Sequence, residues 1–190
     1  MSLYIVLIFI FLVFFGLGVL FFFYFLLDVF IRRHDLPSDK KARQMIAQII
    51  SQRHPQAKNF YDLGSGRGAV ILSVKKHLPH LQVIGIDSSR FRCALAKLKA
   101  KFLGRKIQVK RGDLFKQDLS GADVVYAFIW YDLLPPLEQK LQRELKPGAL
   151  AITNTAHFFD WPLAEKIVFD EKLPGNFGTL FVYMKGLDLL

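Results

Sequence analysis

Eight successive residues, Tyr61-Asp62-Leu63-Gly64-Ser65-Gly66-Arg67-Gly68, have the types and spacing to cradle a charged ligand. Glycine lets the backbone turn sharply and approach a ligand closely. A helix opening behind Gly68 would turn its first, unpartnered N–H groups toward the same place. Gly64-Ser65-Gly66-Arg67-Gly68-Ala69 also fits the G-x-G-x-x-A dinucleotide fingerprint, so the loop alone does not name its ligand. An ordinary glycine-rich turn is the plain alternative. Asp87 follows 19 residues after Gly68, where a carboxylate accepts hydrogen bonds from vicinal ribose hydroxyls. Those hydroxyls belong to adenosine in NAD and in S-adenosylmethionine alike, and a helix N-cap is the competing role for Asp87.

Three features favour S-adenosylmethionine. Asp62 stands two residues before the first glycine, where dinucleotide binders usually carry an apolar residue. A carboxylate there suits an ammonium and a sulfonium and repels a pyrophosphate. Gly112-Asp113-Leu114 places a second carboxylate where an adenine amino group needs an acceptor. The end of the chain reads as a β-hairpin, unlike the six-stranded parallel dinucleotide fold. The expected cofactor contacts are therefore Asp62, Gly64, Ser65, Gly66, Gly68, Asp87, Asp113 and Leu114.

Other chemistries find less support. Gly-Ser-Gly is not the G-x-S-x-G nucleophile elbow, and Ser65 has no base near it in sequence. His34, His54, His77 and His80 lack metal-ligand spacing, so no metal is expected. The catalytic residues stay open. Trp130 and Tyr131, near the end of a strand, are candidates to wall a substrate site, while Phe128 also fits a core position. His157 is a candidate base, or a surface histidine.

The elements that must position these residues follow from the hydrophobic pattern. Strands are expected over 59–63, 82–87, 107–111, 124–129 and 149–153, and helices over 69–78, 90–102 and 137–145. Alternating βα units predict a parallel sheet with helices on both faces. Strands over 166–169 and 179–184 flank Pro174-Gly175-Asn176-Phe177-Gly178 with no helix between, which predicts a closing antiparallel hairpin. The stretch 112–123 is short for a parallel crossover and leaves room for one or two helical turns. Leu36-Pro37-Ser38-Asp39 reads as a break with Ser38 as N-cap of a helix carrying Met45, Ile46, Ile49 and Ile50 and ending near Pro55.

At the other end, residues 3–27 form an uncharged run of 25, roughly 37 Å as a helix against a hydrocarbon core of about 30 Å. The run is too long for a signal peptide and has neither a basic start nor a small-residue cleavage site, so an uncleaved single-pass anchor is expected. Arg32, Arg33, Lys40, Lys41 and Arg43 follow it and no basic residue precedes it, which puts the attached domain in the cytoplasm. The single Cys93 rules out an intrachain disulfide and agrees with a reducing compartment. The net charge is +10, and residues 90–111 hold nine basic residues and no acidic one. That block reads as a solvated helix face or a contact with anionic lipid; nucleic acid is not expected. The expected organisation is an anchor over 1–31, a basic juxtamembrane segment and helix over 32–55, and a catalytic domain over 56–190.

The ordered series D-L-G-S-G-R-G, V-I-G-I-D, G-D-L-F, D-V-V-Y-A-F and E-L-K-P-G-A-L resembles the motifs of class I S-adenosylmethionine-dependent methyltransferases over about 56–185. The resemblance implies a Rossmann-like sheet with a C-terminal antiparallel hairpin, here preceded by one transmembrane helix. More narrowly, the chain is similar to small membrane-anchored protein lysine methyltransferases, relatives of the enzymes that modify the ATP synthase c-subunit and the ADP/ATP carrier. The shared pieces are the anchor, Pro37-Ser38, the Tyr61–Gly66 run, Leu137-Glu138-Gln139-Lys140-Leu141 leading to Glu144-Leu145-Lys146-Pro147-Gly148, and Asp160-Trp161-Pro162. The acidic-or-amide residue with Pro-Pro and an aromatic that many amino-group methyltransferases carry after strand four is absent, the stretch reading Tyr126-Ala127-Phe128-Ile129-Trp130-Tyr131. The resemblance implies methylation of a lysine in a membrane or membrane-proximal protein. A lipid or quinone-like acceptor, an NAD-dependent oxidoreductase and a non-catalytic binding module are the alternatives.

Overall fold

The computed structural model describes residues 3–31 and 38–186, without the side chains of 27–31. Arg32, Arg33, Leu36 and Pro37 lie outside the described residues. The chain divides into two compact units, 1–36 and 37–190. The first holds helix α1, Leu3–Ile31. Its span Leu3–Leu26 has a mean hydropathy of 3.2. By length and composition it is apt to cross a membrane.

The second unit is a seven-stranded sheet with helices on both faces. In chain order its elements are α2 (Lys40–Arg53), β1 (Asn59–Leu63), α3 (Ala69–His77), β2 (Gln82–Asp87), α4 (Arg90–Phe102), β3 (Gln108–Arg111), β4 (Val124–Ala127), α5 (Leu134–Glu144), β5 (Leu150–Asn154), β6 (Glu165–Val168) and β7 (Thr179–Met184). The strand order is β3-β2-β1-β4-β5-β7-β6. Strands β1 to β5 are parallel, and β7 runs antiparallel between β5 and β6. The direction of strand addition therefore reverses between β1 and β4, and such a switch point opens a crevice at the carboxyl ends of the strands.

Strand alternation divides the core in two. Phe60, Val83, Val124, Tyr126 and Ile152 face α2, α3 and α4 through Ile46, Ile50, Ile71, Val74 and Ala96. Leu63, Ile86, Val125, Ala151 and Tyr183 face α5 through Leu134, Leu137 and Leu141. The link 112–123 carries one 3₁₀ turn, Leu114–Lys116. The link needs no longer helix because Leu119 and Ala122 are themselves buried beneath α5. The Glu144 carboxylate accepts from the Leu119 N–H at 3.3 Å, so α5 holds the link from outside.

Three local expectations are corrected. Ser38 does not cap α2: the cap is Asp39, whose carboxylate accepts from the Lys41 N–H at 2.6 Å. The Ser38 hydroxyl instead pairs with the buried Tyr126 hydroxyl at 2.9 Å. Helix α5 begins at Leu134 rather than 137, because Pro135 and Pro136 sit in its first turn, where a missing N–H removes no intrahelical bond. Strand β4 stops at Ala127, short of the expected 129.

Helices α3 and α4 meet at Gly68, the N-cap of α3, where φ is +80°. A Cβ there would lie 2.9 Å from the Ala96 Cβ on α4. Gly68→Ala combines left-handed strain with that overlap and should cost about 2–4 kcal/mol in a denaturant titration. Gly104→Ala keeps a positive φ but meets open space, and should cost only about 1–2 kcal/mol. Equal losses would mean that the helix contact is not what fixes Gly68.

Candidate active site

The Asp62–Gly68 segment leaves β1 at the switch point. Gly64, Gly66 and Gly68 all take positive φ, at 81°, 53° and 80°. The Gly64 and Ser65 N–H groups both donate to the Ile86 carbonyl, at 2.8 and 2.9 Å, which fastens the turn to β2. Leu72 N donates to Gly68 O at 3.0 Å, so α3 opens directly behind the turn.

Asp87 ends β2 and is buried. One of its oxygens accepts from the Gly66 N–H at 2.9 Å and the other from the Ser89 N–H at 2.8 Å. The Arg92 guanidinium stands 3.9 Å away. Asp87 is not the N-cap of α4; Ser89 is, accepting from the Arg92 N–H at 3.3 Å. Beside it, the Gly112 N–H donates to the Asp87 carbonyl at 3.0 Å, which brings Asp113 to the same rim. Asp113 is exposed, and one of its oxygens accepts from the Phe115 N–H at 2.9 Å. Leu114 is half-buried against the core under α5.

Asp62 is 2% exposed, and among the described residues no hydrogen bond reaches its carboxylate. Burial, and secondarily the Asp87 charge, push its pKa up to about 8. Ser65 is buried with its hydroxyl unpartnered. A Cβ at Gly85 would come within 2.7 Å of that hydroxyl, so β2 leaves it just enough room. A buried carboxylate without a counter-charge and a buried hydroxyl without a partner are each costly, and a ligand with a positive charge and a hydrogen-bonding group relieves both. These residues fit S-adenosylmethionine, whose amino-acid end offers an ammonium.

Tyr126 is opposite Asp62 in register on β4, fully buried, and sequence reasoning left it among strand residues. Burial raises its phenol well above the usual range, opposed by hydrogen bonds from Ser38 and Asn154. Its pairing with Asp62 depends on register, which no local pattern carries.

The acceptor-side candidates divide. Trp130 and Tyr131 are about half exposed beyond β4. The adjoining Ile129 reaches back to the glycine turn, 3.3 Å from where a Gly64 Cβ would be. The Tyr131 ring meets Phe159 edge-on at 5.4 Å. His157 is exposed, its ring 6.0 Å from Phe159 and 5.6 Å from Phe181, with Nδ1 at 2.8 Å from the Phe158 carbonyl. Phe128 is half-buried against the first core, as its core reading expected. Phe159 was missed, since a single phenylalanine after a strand carries no signal of its own.

Comparison with known proteins identifies the family. The family model for the ANTKMT methyltransferase domain matches residues 62–165, from Asp62 through both strand-end carboxylates. A protein-lysine N-methyltransferase from Saccharolobus islandicus is 30% identical over 154 residues, 80% of this chain and 92% of that protein. A carboxy-S-adenosyl-L-methionine synthase from Nautilia profundicola is 30% identical over 72% of this chain but only 56% of its own length. Among solved structures, an RNA methyltransferase from Salinibacter ruber in complex with S-adenosyl-L-homocysteine superposes with a TM-score of 0.70 at 21% identity, covering 82% of this chain and 97% of that one. That likeness speaks for the fold. The family match and the near full-length lysine methyltransferase relative leave no place for the NAD-dependent and non-catalytic alternatives: the chain belongs to the ANTKMT methyltransferase domain family and is a class I methyltransferase that uses S-adenosylmethionine.

Proposed function

We propose that this enzyme is a single-pass membrane protein that methylates a lysine of a membrane or membrane-proximal protein, its domain facing the cytoplasm. The observation that carries the acceptor class is the relative named as a protein-lysine N-methyltransferase, matched over 92% of its length. The span Leu3–Leu26, apt to cross a membrane, supports the location, and the basic residues that follow it support the orientation.

Asp62, Gly64, Ser65, Gly66, Gly68, Asp87, Asp113 and Leu114 are assigned to the cofactor. When bound, S-adenosylmethionine supplies a methyl group on a positively charged sulfur, open to in-line attack by an amine lone pair. The buried Asp62 carboxylate gains its missing counter-charge from the ammonium, and the Ser65 hydroxyl gains a partner. Each Asp87 oxygen accepts one N–H and keeps lone pairs for ribose hydroxyls. Asp113 uses one oxygen on Phe115, leaving the other to accept from an adenine amino group.

On the acceptor side, Trp130 and Tyr131 strip water from the incoming amine, and desolvation lowers the pKa of a lysine toward the neutral nucleophile. His157 has Nδ1 against the Phe158 carbonyl, so Nδ1 carries the hydrogen and the Nε2 lone pair is left to receive a proton. Proximity and alignment supply most of the rate, about 7–11 kcal/mol in favourable cases. Helix α1 suits a lipid or quinone-like acceptor equally well, which makes that the second reading.

Calorimetry on the full-length protein in detergent should show S-adenosylmethionine binding, weakened at least about tenfold by Asp87→Ala or Asp62→Asn, each removing roughly a charge-assisted hydrogen bond or ion pair. Unchanged affinity in both variants would remove the two carboxylates from the site. The raised pKa of Asp62 also has a pH consequence. The fold favours its neutral form, so ligand-free stability is fullest below the ordinary carboxyl range and is lost as pH rises toward about 8. Melting temperature should fall over that interval in the wild type, and Asp62→Asn should lack this component; superimposable profiles would contradict it. Membranes incubated with enzyme and methyl-tritiated S-adenosylmethionine should carry the label in protein, recovered as methyl-lysine after acid hydrolysis. Label extracting with lipid would establish the second reading instead.

A further inference from the structure

The loop after β5 is held more tightly than its surface position requires. Four successive backbone N–H groups are each captured by a side chain. Phe158 N–H donates to the Tyr183 hydroxyl at 2.8 Å. Phe159 and Asp160 N–H donate to the two Glu138 oxygens, at 2.8 and 2.9 Å, and Trp161 N–H donates to Glu138 Oε1 as well. At the start of the loop, Thr153 Oγ1 donates to the Ala156 carbonyl at 2.6 Å. Thr155 has a φ of +73°, the positive φ outside glycine among the described residues. Such strain persists only where surrounding bonds over-determine the backbone, and it gathers at functional sites.

Glu138 projects from α5 and is 3% exposed. No ion pair to it is formed among the described residues, and its charge is met by backbone amides and the Gln142 side chain at 3.5 Å. A buried carboxylate is a costly way to fasten a loop that apolar packing already holds. Packing is indeed present: Phe158, Trp161 and Tyr183 pack together with ring centroids 4.7 to 5.7 Å apart. What the carboxylate adds is direction. Three N–H vectors converging on one group fix the peptide planes and thereby the side chains on the opposite face of the loop, Phe159 above all. Phe159 is 48% exposed, edge-on to Tyr131 and beside His157.

We propose that Glu138 is a positioning residue for methyl transfer: it sets the 158–161 backbone so that Phe159, with Tyr131 and His157, forms the wall along which the acceptor amine is aligned. An aromatic face attracts an amine in its charged form and excludes water from it in its neutral form, so a wall of this kind suits a lysine. The assignment rests on the reading of the acceptor as an amine. It joins two short stretches, around Glu138 and around Asp160-Trp161, through one carboxylate.

The test uses full-length enzyme in detergent with Glu138→Gln, which keeps size but cannot accept three N–H bonds in the same geometry, and Phe159→Ala, which removes an exposed ring. Hydrogen exchange at amides 159–161 should quicken at least tenfold in Glu138→Gln and stay at the wild-type rate in Phe159→Ala. Affinity for S-adenosylmethionine should stay within twofold of wild type in both. Transfer of tritiated methyl to membrane-fraction protein at saturating cofactor should fall at least tenfold in both. That split between cofactor affinity and turnover is not expected of a residue that only stabilises the fold. Wild-type transfer rates in Glu138→Gln despite fast exchange, or unchanged exchange, would overturn the proposal. So would a parallel loss of cofactor affinity in both variants, which would place the loop at the cofactor. Should the wild type bind cofactor yet label no membrane protein, the acceptor reading fails and the role in methyl transfer falls with it, while the exchange measurement still tests the Glu138 clamp by itself: quickened exchange upholds the clamp, unchanged exchange removes it.

Discussion

Everything at the carboxyl edge of the sheet hangs on the Asp87 carboxylate. One oxygen holds the Gly66 N–H and the other the Ser89 N–H, so a single side chain ties the turn after β1 to the turn after β2. The Gly112 N–H on the Asp87 carbonyl extends the tie to the turn after β3. Three strand ends are thereby registered to one another at the crevice. The close contact of Gly68 with Ala96 brings α3 and α4 in behind them. Loss of that carboxylate would loosen the frame as well as remove a ligand contact.

The same arrangement concentrates negative charge. Asp62 lies buried near Asp87, and both its desolvation and its neighbour oppose ionisation. The fold tolerates this because a carboxyl group can stay neutral at modest cost until a cation arrives. The basic residues of α4 and β3 do little to relieve it. Arg92 comes within 3.9 Å of Asp87, whereas Lys97, Lys99, Lys101, Lys106 and Lys110 are exposed on the outer face. Leu98, Phe102 and Leu103 are exposed among them, so the surface there is not uniformly polar.

The strand-turn-helix setting of the glycines and the terminal hairpin were legible in the sequence because both are local. Glycine spacing dictates a turn, and a Pro/Gly-rich loop between two β-rich runs dictates a hairpin. Boundaries slipped where chemistry competed: Pro135 and Pro136 form the first turn of a helix expected only from Leu137, and Asp39 took the cap expected of Ser38. Partnerships across the sheet were not legible. Asp62 meets Tyr126 only because β1 pairs with β4 in one register, and Glu138 meets Asp160 only because α5 lies beneath the loop after β5. The long-range pairs are set by topology, which emerges only when the elements are assembled.

The hydrogen bond from Ser38 to Tyr126 spans 88 residues of sequence. During synthesis, therefore, the rear of the crevice stays open after α1 and the glycine turn have left the ribosome, and closes only when β4 has docked. A chain released early would carry the whole glycine motif and still leave Asp62 open to water.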